Sequence, residues 1–418
     1  MRVEQPRARY DVAVVGGGLV GAAFALLLQS LRRPDAPSLR VLVIEAAAHA
    51  AEEEDGLLQP APDFDVRTTA LSEGSRLVLE QMGLWSALQE WVTPIQRIHV
   101  SDRGHFGAVE MNAAKAGVDA LGHVVENRHL GKLLLHALQQ SDDIDFLCPA
   151  RTEQIRPRPD GMRLSLNTAG REQELDAALV VLADGGKSDL CRQLGIGIDR
   201  QAYGQQALIA NVAFRKAHEG VAFERFTDQG PMAVLPLSDL AGAHRGALIW
   251  TQPDVQAEAM LAMPDEAFLQ ALQDRFGYRL GVFSRVGQRH AFPLSLDVAR
   301  EQLRPGLVLL GNVAHTLHPV AGQGLNLALR DARTLARCIA QGHREGVSPG
   351  EMGLLQSYMA QRQRDQDLTI AFSHHVTGLF TTSNPLQVWT RKFGLFSIDL
   401  LPPARQLFTR QAMGLGSF

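Results

Sequence analysis

The apolar run at residues 10–15 is short and β-branched, and it ends at Gly16-Gly17-Gly18-Leu19-Val20-Gly21 before the helix-forming residues 22–28. Continuous apolar runs of this length suit strands covered on both faces, and the glycines suit a tight turn into a helix. A second unbroken strand, Val41-Leu42-Val43-Ile44, closes on Glu45 at the spacing of a βαβ unit. Residues 46–65 show neither period; Glu52-Glu53-Glu54-Asp55 and Pro60-Ala61-Pro62 predict an acidic solvated loop. Residues 131–140 read as helix, those up to 167 as alternating strands, and Leu179-Val180-Val181-Leu182 as a buried strand stopping at Ala183-Asp184-Gly185.

Between about residues 200 and 290 the pattern changes, with strand-like segments at 207–214, 232–237 and 246–252 around one helical stretch, 265–276. The strand, turn and helix order then returns: Leu307-Val308-Leu309-Leu310 meets a turn at Gly311-Asn312, and Gly322-Gln323-Gly324-Leu325-Asn326 opens a helix to about residue 341. Beyond about 345 the pattern is mostly helical, with Ser348 and Ser357 as candidate N-caps. An α/β fold follows. A Rossmann-like domain is expected from residues 1–73, 124–198 and 296–345, an inserted α+β domain from 74–123 and 199–295, and a helical region from 346–418.

Composition narrows the function classes. The 418 residues exceed what one core fills, and 45% hydrophobic with 21% charged residues is a globular mix. Lys plus Arg (41) against Asp plus Glu (45) leaves −4, with no basic field for nucleic acid. The apolar runs fall far below the roughly 18 residues of a spanning helix. Cys148, Cys191 and Cys338 are isolated, which excludes a CxxC site or disulfide framework and suits a reducing compartment. With no secretory segment ahead of the first strand, a cytoplasmic location is expected. His315 and His318 are spaced i, i+3, but Pro319 follows and no third ligand is evident, so no metal site is expected.

The first turn matches GxGxxG through Gly16, Gly18 and Gly21. A side chain at the first would block the turn, one at the second would push away a pyrophosphate, and one at the third would part helix from strand. Glu45 can accept hydrogen bonds from both ribose hydroxyls and would repel a 2′-phosphate, leaving FAD or NAD open.

In order and distance, the first glycine turn, Ala183-Asp184-Gly185, and Gly311-Asn312 with Gly322-Gln323-Gly324-Leu325-Asn326 resemble single-component FAD-dependent aromatic hydroxylases of the para-hydroxybenzoate hydroxylase type. Ala314-His315-Thr316-Leu317-His318-Pro319 is similar to the ubiquinone-biosynthesis hydroxylases among them. Ser101-Asp102-Arg103-Gly104-His105 and Phe223-Glu224-Arg225-Phe226-Thr227 resemble the 2-polyprenyl-6-methoxyphenol hydroxylase branch, and the likeness spans about residues 10–410.

The resemblance implies an FAD-binding domain with an inserted substrate domain. Asp184 and Gly185 would close the dinucleotide site, and Gly311-Asn312 would lie against the ribityl chain and pyrophosphate. The usual Gly-Asp is here Gly-Asn, whose amide can still pair with hydroxyls. Residues Gly322, Gln323, Gly324 and Asn326 would turn backbone amides to the flavin pyrimidine edge. Arg67 and Arg128 match cofactor-contacting arginines, although Val66 replaces a glycine before the first. One of His315 and His318 would satisfy backbone groups at the flavin and the other would line the pocket, with proton transfer as an alternative role. Phe223, Phe226, Trp250, Pro293 and Pro319 are candidates for the substrate pocket, though strand aromatics also serve as plain core.

The implied reaction hydroxylates a polyprenylated phenol to the 1,4-benzoquinol through a flavin C4a-hydroperoxide, using O₂ and an external reductant, NAD(P)H or a redox partner. Another ring position, a flavin-dependent reductase and a flavin-bound scaffold remain alternatives. A halogenase motif is absent around Trp250, and an NAD-dependent dehydrogenase lacks its catalytic set. Residues 385–418 mix Trp389, Phe393, Phe396 and Phe408 with Arg391, Lys392, Arg405 and Arg410. They suit contact with an anionic membrane surface, with other proteins of ubiquinone biosynthesis, or with their own domain.

Overall fold

The computed structural model describes residues 6–33, 38–47, 67–102, 108–186, 188–227, 230–317, 322–381 and Met413. Its first sheet has eight strands. Five of them run parallel in the order Leu307–Leu309, Arg171–Leu182, Arg9–Val15, Val41–Ile44, Ile144–Leu147. Alternation along Arg9–Val15 sends Val12 and Val14 to one core and Ala13 and Val15 to the other, so both faces are covered. Helices Leu19–Ser30, Asn127–Gln140 and Gln323–Arg344 cover the first face. Antiparallel strands Arg151–Arg158 and Gly161–Thr168 extend from the long central strand Arg171–Leu182.

The second sheet has nine strands. Its centre is antiparallel: Ile198–Phe214, Ala243–Pro253, Gly230–Leu240 and Val221–Thr227, with Arg97–Asp102 added in parallel at the last. One face packs on helices Asp254–Ala262 and Asp265–Phe276; the other faces a cavity. The first of these helices is not foreshadowed by periodicity. It buries only Ala257 and Met260, while Val255 is 82% exposed, so no apolar stripe marks it.

A third sheet joins Thr68–Ser72, Gly122–Glu126 and Val92–Ile95. The boundary expected at residue 124 falls inside strand Gly122–Glu126, and the sheet pairs segments assigned to different domains. Helix Met352–Thr381 packs on Gln323–Arg344, joined by the buried Arg362 Nε to Asp331 Oδ1 bond of 2.6 Å. Among the described residues no helix is long and apolar enough to cross a membrane. Residues 385–418, apart from Met413, lie outside the described residues. Met413 is buried with Ile95, Met111 and Leu121, and its carbonyl accepts the Gly74 N–H at 2.9 Å.

Candidate active site

A cavity of about 1670 Å³ runs from the carboxyl edge of the first sheet to the open face of the second. Pockets for a single small ligand run to about 300–1,000 Å³, so this space suits a cofactor together with a substrate.

At the nucleotide end the three glycines meet separate demands. Gly16 has φ +106°, and a Cβ there would stand 2.5 Å from the Ala183 carbonyl oxygen. At Gly21 a Cβ would come within 1.9 Å of the Gly16 carbonyl oxygen, so this glycine sets the contact of helix and strand and does not line the cavity. Gly18 has ordinary extended geometry and nothing within 4 Å of a Cβ. The space a side chain would take at Gly18 belongs to the cavity. No side chain caps helix Leu19–Ser30, and Leu19 and Val20 line the cavity, so the unpaired amides of its first turn suit a phosphate.

Glu45 ends its strand in the same space. Its Oε2 accepts the Gly17 N–H at 2.8 Å and its Oε1 the Ala47 N–H at 2.7 Å. Each oxygen keeps a lone pair for a ribose hydroxyl. A Cβ-sized gap at Gly18, uncapped helix amides and an oriented carboxylate together fit an adenine dinucleotide.

Farther along, Asp184 and Gly185 line the cavity, but the Asp184 carboxylate is engaged in its own turn, accepting the Gly186 N–H at 2.9 Å and the Ser188 hydroxyl. Asn312 lines the wall, and the adjacent Gly311 lies behind it with φ +77° against Val20. Gly322, Gln323, Gly324 and Asn326 form the next wall, with Gly322 in the left-handed region at the start of Gln323–Arg344. The Asn326 side chain is a clamp. Its Oδ1 accepts the Ser72 N–H at 2.8 Å and the Ser75 hydroxyl at 2.6 Å, while its Nδ2 donates to the carbonyls of Ala70 and Gly322. With all four positions filled, Asn326 holds the loop in place and leaves cofactor contact to the backbone.

Several expectations are corrected. Arg67 lines the cavity, its guanidinium 5.8 Å from the Phe292 ring, but Arg128 does not. Arg128 donates to Glu126 Oε2 from Nε at 3.0 Å and from Nη2 at 2.8 Å, a local ion pair. His315 is 1% exposed and lies behind the wall, its Nε2 3.0 Å from Asp331 Oδ2, so it supports the loop and has no contact with the cavity. His318 and Pro319 lie outside the described residues.

Trp250 belongs to the opposite face. It pairs with Leu208 and Met232 and meets the Phe268 ring edge-to-face at 5.8 Å, within the core beneath the two helices. Pro293 is exposed and off the lining. Phe223 borders the cavity, yet its ring meets Phe276 edge-to-face at 5.7 Å, whereas Phe226 is buried on the cavity side.

The substrate end is apolar, walled by Ile98, Val100, Ala222, Phe226, Ala233 and Ile249. Three polar side chains also reach it: Thr251, Thr369 and Glu224. Burial pushes the Glu224 carboxyl up to about 7. Reading the segment for its aromatics passes over this residue. The strand period would have found it, since Phe226 on the cavity face places Glu224 there too.

Residues 9–373 match the family model described as FAD binding domain. A ubiquinone hydroxylase, UbiL of Rhodospirillum rubrum, is 34% identical over 409 residues, covering 97% of this chain and 89% of that protein. The 3-demethoxyubiquinol 3-hydroxylase of Escherichia coli is 29% identical over 407 residues, covering 97% and 98%. Among solved structures, p-nitrophenol 4-monooxygenase PnpA from Pseudomonas putida superposes with a TM-score of 0.75 at 18% identity, over 98% of this chain and 99% of that one.

Proposed function

The chain belongs to the FAD binding domain family, among its ubiquinone-biosynthesis hydroxylases, and from that premise we propose that it hydroxylates a 2-polyprenyl-6-methoxyphenol to the 1,4-benzoquinol. It is an FAD-dependent monooxygenase. The observation that carries the substrate reading is the cavity joining the dinucleotide turn to an apolar sheet face.

Bound FAD supplies activation of O₂ and transfer of one oxygen atom, with electrons from NAD(P)H or a redox partner. The chain's own residues do the rest. The first turn of helix Leu19–Ser30 binds the pyrophosphate and Glu45 the ribose. The first turn of helix Gln323–Arg344, clamped by Asn326, would present main-chain donors to the ring, where they would stabilise negative charge as an oxyanion hole does. The Ile98, Ala222 and Phe226 wall excludes water and holds the aromatic ring. A polyprenyl tail contributes about 0.8 kcal/mol per buried CH₂, so its first isoprene units are enough to favour it over an unsubstituted phenol.

A second reading, hydroxylation at another carbon of the same ring, is favoured by the Escherichia coli relative, whose name places its reaction at position 3 of a demethoxyubiquinol. Oxygen uptake and product mass and regiochemistry with FAD-loaded protein and 2-polyprenyl-6-methoxyphenol test the two. Formation of the 1,4-benzoquinol is expected. Uptake only with a more oxidised ring moves the reaction to the other carbon, and no uptake with either overturns both.

A further inference from the structure

The apolar face of the second sheet contains one cross-strand row that can be read from its register: Val100 opposite Glu224, Glu224 opposite Ala233, Ala233 opposite Ile249, Ile249 opposite Ile209. All five residues line the cavity. Four are aliphatic, and the fifth is a carboxylic acid in the second position of the row. Among the described lining residues, the other ionisable side chains are Glu45, Arg67, Arg151, Glu153, Asp184 and Asp189; all but Arg67, whose guanidinium lies by the Phe292 ring, belong to the first sheet and the turns that follow its strands. Residues flanking Glu224 in sequence do not neutralise it. Arg225 points to the opposite face, where its Nη1 donates to the Phe276 carbonyl at 3.1 Å. The described residues give the Glu224 carboxyl no hydrogen-bond or ion-pair partner.

A carboxyl facing an apolar cavity without a partner is costly, and folding alone would favour an aliphatic residue in this row. The cost is removed when a ligand brings a polar group to the carboxyl. The substrate of the proposed reaction has one group that can donate a hydrogen bond to a carboxylate, the phenolic hydroxyl; its methoxy oxygen can only accept, and the rest is hydrocarbon.

We propose that Glu224 is the polar anchor of the ring site, accepting the hydrogen bond of the substrate phenol and taking its proton as oxygen transfer proceeds. This rests on the phenol reading above. In the step, the phenol O–H bond breaks, the proton moves to a Glu224 carboxylate oxygen, and the electron pair stays on the phenol oxygen. That pair raises electron density at the ortho and para carbons, where the ring forms its new bond to oxygen. Burial suits the role: a carboxyl raised to about 7 is a stronger base, nearer to the roughly 10 of a phenol, than an exposed one. It also fixes orientation, because only one edge of the ring can reach the acid.

The test uses full-length, FAD-loaded protein with two probes, 2-prenyl-6-methoxyphenol and its methyl ether, which lacks the acidic proton. Binding is read from the flavin absorbance change and turnover from product by mass spectrometry. The wild-type protein should bind the phenol at least tenfold more tightly than the ether. Glu224→Leu should bind the two within about twofold and hydroxylate at least 100-fold more slowly. Glu224→Gln, near in shape and still an acceptor, should keep part of the binding preference and lose the same turnover, which separates proton acceptance from hydrogen bonding. Equal FAD content in the three proteins shows that the fold is retained. If the wild type hydroxylates the phenol and both variants keep its kcat within about threefold and its binding ratio, the role of Glu224 is overturned and the phenol reading stands. If the wild type neither binds nor oxidises the phenol, both fall together.

Discussion

Gly18 and Gly21 are three residues apart and share a residue type, yet substitutions at them should separate cleanly. An alanine methyl at Gly18 meets nothing in the protein, and the backbone there is one that any residue adopts. Gly18→Ala should therefore leave the melting temperature of the FAD-free protein unchanged and weaken FAD at least tenfold, read by flavin fluorescence titration. At Gly21 the methyl would strike the Gly16 carbonyl. Gly21→Ala should cost about 1–3 kcal/mol in urea unfolding of the FAD-free protein and lose FAD as well. The motif foretells both glycines, since its spacing encodes backbone contacts. It says little about Arg128: Glu126 is only two residues away, but that the strand-to-helix turn folds the guanidinium back onto it is seen only in the fold. His123 is likewise silent in sequence. It is buried against Trp85 at 4.8 Å, and burial with Arg76 nearby pushes its imidazole down to about 4. Unfolded, it titrates near 6.5. Between those values the unfolded chain binds a proton that the folded chain does not, so stability falls as pH drops from about 6.5 to about 4. The full window is worth about 3 kcal/mol. Urea midpoints across it should fall less in His123→Phe than in the wild type; identical slopes would mean His123 is not the group titrating.

Elements marked by an unbroken apolar run ending in a turn, or by a helical pattern, are legible: the strands Arg9–Val15, Val41–Ile44 and Leu307–Leu309 and the helix Asp265–Phe276 lie where the pattern puts them. What the pattern cannot give is the partner of each element, which is fixed by contacts distant in sequence. Trp250 suits pocket and core equally by residue type, and only the register with Leu208 and Met232 assigns its face. The same distance hides the clamp by which Asn326 ties helix Gln323–Arg344 to strand Thr68–Ser72 and helix Glu73–Gln81. Truncating it strands the Ser72 N–H and the Ala70 carbonyl, each worth about 1–3 kcal/mol when buried and unpaired. Asn326→Ala should destabilise the protein by a few kcal/mol and raise the FAD off-rate while leaving Glu45 and the first glycine turn intact. One helical turn on, Asp331 accepts from Arg362 at 2.6 Å and Gln366 at 3.0 Å and bonds His315, all buried. Its carboxyl is held below the usual range because the stabilising bonds to His315 and Arg362 outweigh desolvation.

Across the whole molecule, the two large sheets are joined by more than chain connections. Arg245, on a central strand of the second sheet, donates to Glu126 Oε1 at 2.9 Å, and Glu126 sits in the third sheet just before the helix Asn127–Gln140 that covers the first. The pair is buried, with side chains 9% and 6% exposed, so removing Glu126 would leave the Arg245 guanidinium buried without its carboxylate. Both large sheets also wall one cavity, so a ligand spanning it contacts each. These two facts predict how the protein melts. If the sheets unfolded independently, FAD would raise only the transition of the sheet that carries the glycine turn. With a shared wall and a buried bridge, one transition is expected, and FAD at a hundredfold excess over its Kd should stabilise all of it by about 2.7 kcal/mol. In Arg245→Met the Glu126 carboxylate loses its partner across the sheets but keeps Arg128. The calorimetric peak should then broaden or split, with FAD moving the first sheet's share more than the second's. A wild-type trace with two peaks, only one of them moved by FAD, would show that the shared cavity does not couple the sheets.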